Sequence, residues 1–199
     1  VPSHADQLKQ IVAATPWLMA LLRAVRDVGP REAYIAAGAI RDLVWNSLTE
    51  RQAPGLGADV DVVYFDASEA VERSRQHEQA LRLCITAVRW EVTNQAWVHL
   101  WQAKAGGGRH SPHASLAAGL ATWPETATAV GVRLDTAEQL SLIAPFGLED
   151  LFSLVVRHNP ARASAAVYWE RVTKKAWAQR WPELKILRPH AGEGSCFPP

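Results

Sequence analysis

Two aspartates one residue apart, Asp59 and Asp61, lie in the stretch Asp59 to Asp66 (DVDVVYFD), whose β-branched and aromatic residues predict a strand. Successive strand side chains point to opposite faces, so the two carboxylates share a face, roughly 6–7 Å apart along the chain, while Val60 and Val62 face the other way. Paired carboxylates on a core strand repel and lose hydration unless a positive charge sits between them, and a hard divalent cation supplies it. Magnesium takes oxygen ligands and keeps several waters, so a few carboxylates and substrate phosphates complete its shell. Asp-x-Asp also arises on solvated strand faces, so its surroundings have to carry the assignment.

Three neighbours in sequence supply that context. Gly38 falls between a predicted strand and a predicted helix, where backbone amides at the helix start can cradle a phosphate and a glycine permits close approach; an ordinary tight turn is the plainer alternative. Arg41 follows one turn into the helix, placed to approach a triphosphate or to pair with a carboxylate of the site, a surface pair with Asp42 or a neighbouring turn being the plainer alternative. Glu91, between Trp90 and Val92 on a later predicted strand, is a candidate third carboxylate for a two-metal site, or else a solvated strand residue.

The elements that must position these residues read as follows. Leu8, Ile11, Val12, Leu18, Leu21, Leu22 and Val25 recur at helical spacing, and Pro16 divides them into two helices. Ala33 to Ala37 is a short buried strand, and Ala39 to about Arg51 a helix. Gln52 to Ala58 (QAPGLGA) is a glycine-proline connection. After the aspartate strand come a polar helix from about Ser68 to Cys84, a strand at Val88 to Thr93, and a helix carrying Ala96 and Leu100 with Asn94 placed to cap it. Lys104 to His113 (KAGGGRHSPH) is a surface loop. Beyond it the pattern predicts a short helix at Leu116 to Ala121, a turn at Trp123 to Thr126 and a strand at Val130 to Leu134. Helices follow at Leu148 to Val156 and Ala163 to Trp181, then a disordered tail from Leu187.

Composition narrows the class. The chain has 199 residues, 48% of them apolar, enough for a packed core, and its 21 basic and 20 acidic residues leave a net charge of +1, so nothing in the bulk balance demands a polyanion or a membrane. Cys84 and Cys196 are too isolated for a disulfide framework or a structural zinc site, which fits a reducing cytoplasm. There is no basic segment followed by an apolar stretch at the N-terminus and no run of about 18 apolar residues, so neither a signal peptide nor a membrane span is expected. The nine tryptophans are expected mostly in the core.

Taken together, AGAIRD at Ala37 to Asp42, DVDV at Asp59 to Val62 and RWEVTN at Arg89 to Asn94 resemble the polymerase β-like nucleotidyltransferase superfamily, the first and third pieces being similar to the head domain of CCA-adding enzymes and poly(A) polymerases. With WPETATAVGVR at Trp123 to Arg133 and APFGLEDLF at Ala144 to Phe152, the order is more similar still to a small bacterial family of nucleotidyltransferase type, from about Trp17 to Trp181. The resemblance implies an α+β (mixed α/β) fold: a short mixed sheet with flanking helices over residues 31–135, N-terminal helices over 1–30 packing on it, a helical region over 136–186 and a tail over 187–199. It places catalytic and metal-binding roles on Asp59, Asp61 and Glu91, and nucleotide binding on Gly38, Ala39 and Arg41. The implied cofactor is Mg2+ or Mn2+. The implied partners are a nucleoside triphosphate and an acceptor hydroxyl on an RNA end, a protein or a small molecule.

The sequence departs from the superfamily pattern in four places. Ala39 stands where a serine or glycine usually follows the glycine, and Ala37 where CCA-adding enzymes have the first of two glycines. Twenty residues separate Gly38 from Asp59, more than is common, and Glu91 is one methylene longer than the usual aspartate. These departures motivate a second reading, a catalytically degenerate module of the same fold that binds nucleotide or RNA; a third is a partner-binding protein anchored by tryptophans. Trp123, Glu125, Thr126 and Thr128 are either acceptor-side residues or a plain turn. Glu149 and Asp150 are expected to favour a helix N-terminus, and His110 and His113 to be solvated. Arg157, His158, Arg162, Arg171, Lys174, Lys175 and Arg180 make the C-terminal helices basic, either a solvated face or a surface that steers nucleotide.

Overall fold

The computed structural model describes residues 2–52, 59–104, 111–161 and 163–189. Two helices open the chain. Helix α1 (His4–Ala13) starts at a capping box in which Ser3 and Asp6 satisfy each other's backbone amides, and α2 (Pro16–Val28) starts with proline in its first turn. Strand β1 (Tyr34–Ala36) runs directly into α3 (Gly38–Leu48). Strand β2 (Asp59–Tyr64), helix α4 (Arg73–Cys84) and strand β3 (Arg89–Asn94) form a β-α-β unit in which polar α4 crosses over so that β2 and β3 can lie parallel.

The later elements are short. They are α5 (Val98–Lys104), α6 (Leu116–Leu120), the 3-10 turn Thr126–Thr128, β4 (Gly131–Leu134), β5 (Leu140–Ile143), α7 (Glu149–Phe152), β6 (Val155–Val156), α8 (Ala165–Lys175), α9 (Trp177–Arg180) and β7 (Lys185–Ile186). The sheet runs β3-β2-β1-β4-β5, with β2/β3 parallel and the other pairs antiparallel, and β6 and β7 make a separate parallel pair. This is the mixed α+β architecture that the sequence motifs imply.

Alternation along the strands divides the sheet into two unlike faces. Ile35, Val60, Val62, Trp90, Val92 and Val132 are buried in the main core with Leu18, Leu21 and Leu22 of α2 and Ile40, Leu43 and Val44 of α3. The other face carries Asp59, Asp61 and Glu91 at one end and a smaller apolar cluster of Ala36, Val63, Leu116, Leu120 and Ala129 at the other. Trp45, Trp177 and Trp181 close the core at the C-terminal side: their rings meet edge-on, 6.2 and 5.1 Å between centroids, and Trp181 Nε1 donates to Asn46 at 2.9 Å. Of the nine tryptophans only Trp101 and Trp169 are exposed, so the expectation of a tryptophan-rich core holds, and an interface built on many of them has little to stand on.

Four local expectations are corrected. The helix expected over Leu148 to Val156 stops at Phe152, because Leu154 takes a left-handed backbone (φ 57°) and the chain becomes β6. The single helix expected from Ala163 to Trp181 is broken at Ala176 (φ 48°, ψ 38°), which reorients Trp177 into the core. Strand β5, absent from the sequence reading, pairs along β4 from Gly131↔Ile143 to Leu134↔Leu140. The chain is still tied down at Leu187, whose amide donates to Val156 and whose carbonyl accepts from Tyr168. The rest of the expected tail from residue 190, the loop at 105–110 and the connection at 53–58 lie outside the described residues. No single helix among those described is long and apolar enough to cross a membrane.

Candidate active site

The parallel register of β2 and β3 sets Asp61 opposite Glu91 and Asp59 opposite Arg89, so all four side chains rise from one face. Asp59, Asp61 and Glu91 line a single cleft of about 510 Å³, within the usual range for a small-molecule site. Gly38, Ala39 and Arg41 line it too, and so do Asp42, Trp17 and Leu21 of α2, Trp123, Thr128, and Arg171, Lys175 and Arg180 from the C-terminal helices. All six residues to which the sequence assigned roles therefore border one cavity.

The carboxylates are not gathered around a tight cage. Among the described residues, no group of three His, Cys, Asp or Glu side chains is close enough to hold a metal ion as it stands. Arg89 instead leans between two of them, with Nε 3.6 Å from Asp59 and Nη2 3.3 Å from Glu91. Its side chain is 72% exposed, so its pairing is weak and freely exchanged for water. Asp61 lacks such a partner and responds differently: burial pushes its carboxyl up to about 6, and the negative charges of Glu91 and, less, Asp59 add to the rise against Lys175 and Arg41. A buried carboxylate made reluctant to ionise by its own acidic neighbours is short of positive charge. Three oxygen donors on one face with that deficit suit a divalent cation once the exposed arginine swings aside.

The turn into α3 shapes the side of the cleft that Gly38 and Ala39 line. Ala37, not Gly38, holds the unusual backbone (φ 55°, ψ −127°), a conformation natural to glycine that costs a residue with a Cβ about 1–3 kcal/mol. Gly38 has another reason to lack a side chain. A Cβ there would meet nothing nearer than Arg41 Nη2 at 3.8 Å, so it would project into the cleft and fill space that no protein atom uses. No side chain caps α3, and the amides of its first turn have no partner within the helix. Gly38 and Ala39, which carry two of these amides, line the same cleft as the acids.

Arg41 is less available than its sequence position suggests. It is 4% exposed; Nε and Nη2 donate to Asp42 at 2.9 and 2.6 Å, Nη1 donates to Thr128 at 3.1 Å, and the guanidinium lies 5.0 Å from the Trp45 ring and 4.7 Å from that of Trp177. Pairing with Asp42 was one of the two expected outcomes, but the pair is buried rather than on the surface. Arg41 thus holds the floor of the cleft and lends its charge to Asp61 from below.

The Glu-Thr-x-Thr segment divides. Trp123 and Thr128 border the cleft, whereas Glu125 is fully buried and accepts two bonds from Arg171 (2.6 and 3.2 Å), and Thr126 donates to Asp150. Glu149 and Asp150 occupy the first turn of α7, where acids are favoured, and Asp150 also pairs with Arg157 at 2.8 Å. What the sequence left undecided was which of the C-terminal basic residues reach the site: Arg171, Lys175 and Arg180 do, and Lys174 does not line it. The cleft-lining role of Trp17 and Leu21 was missed, since helical periodicity reports burial and not the rim of a cavity.

Comparison with known proteins now decides the family. A family model described as Nucleotidyltransferase matches residues 23–186, from within α2 to the end of β7. The chain belongs to that nucleotidyltransferase family. No curated protein sequence matches it significantly. Among solved structures, this nucleotidyltransferase-family chain is similar to one determined by NMR and described as revealing a CCA-adding enzyme head domain, with 29% identity, 91% of this chain and 96% of that one covered, and a TM-score of 0.77. It also shares its fold with a CCA-adding enzyme in complex with CTP (16% identity, 90% and 43% covered, TM-score 0.55). The Thermotoga maritima CCA-adding enzyme with tRNA is alike at 15% identity, 90% and 42% covered, and a TM-score of 0.55. The chain spans less than half the length of those two enzymes.

Proposed function

We propose that the protein is a metal-dependent nucleotidyltransferase that moves a nucleoside monophosphate from a nucleoside triphosphate to an acceptor hydroxyl. The observation that carries this reading is the convergence of Asp59, Asp61 and Glu91, on one face of two parallel strands, with the open start of α3 at Gly38 in a single cleft. Relatives of the same fold captured with CTP, ATP and tRNA support a nucleotide substrate and make an RNA end one candidate acceptor, beside a protein or a small-molecule hydroxyl. A sequence with only two cysteines, far apart at Cys84 and Cys196, fits the cytoplasm as its setting.

Asp59 and Asp61, with Glu91, would hold Mg2+ or Mn2+. When bound, the metal would supply charge stabilisation to the entering and leaving oxygens of an in-line displacement at the α-phosphorus. The amides of Gly38 and Ala39 would receive phosphate oxygens at the helix start. Glu91, half exposed at the cleft edge, would accept the hydrogen of the acceptor hydroxyl. As the acceptor oxygen bonds to the α-phosphorus, the bond from that phosphorus to the β-bridging oxygen breaks and pyrophosphate leaves. A second, more open groove shares Asp61, Trp123 and Pro124 with the cleft and continues past Thr93, Gln95 and Trp101, offering the acceptor a route to the same carboxylate.

A nucleoside triphosphate labelled at the α-phosphate tests the reading. With magnesium, and RNA ends, peptides and aminoglycosides as acceptors, label should pass to one acceptor class with release of pyrophosphate, and chelation should abolish both. Release of orthophosphate instead, or transfer that persists in excess chelator, would overturn it. The Arg89 bridge across Asp59 and Glu91 favours one competing reading, a binding module that has lost its chemistry. Saturable nucleotide binding without pyrophosphate release from any acceptor would establish that reading instead.

A further inference from the structure

Four cations line the cleft, and three of them are already spent. Arg41 is bonded to Asp42 and Thr128, Arg171 to Glu125, and Arg180 stands 3.2 Å from Asp42. Withdrawing Arg171 toward a ligand would leave the fully buried Glu125 uncompensated, and withdrawing Arg41 would leave Asp42 to the half-exposed Arg180 alone, both of which are costly. Lys175 is different. It borders the cleft, it is exposed, and among the described residues it has no carboxylate within 4.0 Å.

The backbone beneath it is fixed. Lys175 is the last residue of α8; Ala176 then turns left-handed, and Trp177 is buried with its ring against Trp45 and the Arg41 guanidinium. That anchor, two residues away, holds the Lys175 Cα at the rim while leaving its four-carbon stem free to sweep the opening. It lines the same cleft as Asp59, Asp61 and Glu91, so the ammonium and the acidic face border one site. A lysine in the last turn of a helix is also expected from the helix dipole alone. Lys174 satisfies that expectation equally and does not line the cleft, which makes it an internal comparison.

We propose that Lys175 is the cation that receives the polyphosphate tail of the nucleotide, so that the C-terminal helix completes a substrate site whose acids and amides come from the sheet and α3. This rests on the nucleotidyltransferase reading above. A compact ammonium on a flexible stem suits a polyphosphate whose oxygens move as it becomes a leaving group, where a guanidinium fork already bound to carboxylate does not.

The test measures binding of inorganic tripolyphosphate with magnesium to the full chain by calorimetry, comparing wild type, Lys175→Ala, Lys174→Ala and the Asp59→Asn/Asp61→Asn pair. Lys175→Ala should weaken binding on the order of tenfold, as expected for one charge-assisted contact, with the deficit shrinking as salt rises. Lys174→Ala should stay within about twofold. Equal effects of the two lysine variants would overturn the assignment. Loss of binding in the double aspartate variant with Lys175→Ala unaffected would remove Lys175 alone and leave the nucleotide reading intact. Wild type that binds no tripolyphosphate, or binds it independently of magnesium and the aspartates, would remove both.

Discussion

Asp61→Asn should abolish magnesium-dependent pyrophosphate release, a loss on the order of 10³-fold or more, and at the same time make the metal-free protein more stable. The two effects share one cause. Burial and the neighbouring Glu91 and Asp59 charges raise the Asp61 carboxyl from 3.8 to about 6. Between those two values the folded chain holds a proton that the unfolded chain has released, so stability falls as pH rises through the interval and the cost is complete above about pH 6. That rise costs about 1–3 kcal/mol once solvent at the cleft mouth is allowed for. An amide of the same shape carries no such penalty. In chelator at pH 8, therefore, Asp61→Asn should melt roughly 2–12 °C above wild type, and at pH 4 the difference should vanish. Magnesium should raise the melting temperature of wild type and leave the variant unmoved. An Asp61→Asn variant less stable than wild type at pH 8 would show that the carboxylate is already neutralised within the fold.

Arg41→Ala should destabilise the chain by about 3–5 kcal/mol, the range for removing one partner of a buried ion pair. Its guanidinium packs over both Trp45 and Trp177, whose rings also meet each other, and makes three hydrogen bonds to Asp42 and Thr128. Truncation would leave a void against two indole faces and Asp42 dependent on the half-exposed Arg180. The melting temperature should fall by about 6–20 °C for a chain of this size. Arg41→Lys should recover little of it, since an ammonium cannot make the same planar fork or stack on the rings. A fall of less than about 2 °C for Arg41→Ala would mean that the arginine is held in place by a ligand and not by the fold.

What the sequence revealed and what it withheld follow from the range of the interactions. The aspartate strand was legible because a β-branched run is a local signal, and the strand-glycine-helix unit because Gly38 interrupts two clear periodicities. The match of Asp61 with Glu91 was not a local fact: it depends on α4 crossing over so that β2 and β3 align in parallel register. The strained residue gave no signal of its own, since the positive φ falls on Ala37, while a Cβ at Gly38 would meet only the end of the Arg41 side chain. Arg41 could be placed near the site and beside Asp42, but its contacts with Thr128 and Trp177 come from far along the chain and left no local sign. The C-terminal breaks at Leu154 and Ala176 left no mark in the apolar pattern, as neither residue is a glycine or proline. Without the second break, the basic residues of that region could not be sorted into those that meet the cleft and those that face water.

The most direct measurement is a crystal structure of the chain with Mn2+ and a non-hydrolysable nucleoside triphosphate, read by the anomalous signal of the metal. Manganese should appear between the Asp59 and Asp61 carboxylates, with Glu91 drawn toward it, Arg89 displaced into solvent and the triphosphate against the first turn at Gly38. Anomalous signal elsewhere, with Arg89 still bridging Asp59 and Glu91 while nucleotide is bound, would contradict the assignment of these three acids to a metal-dependent active site.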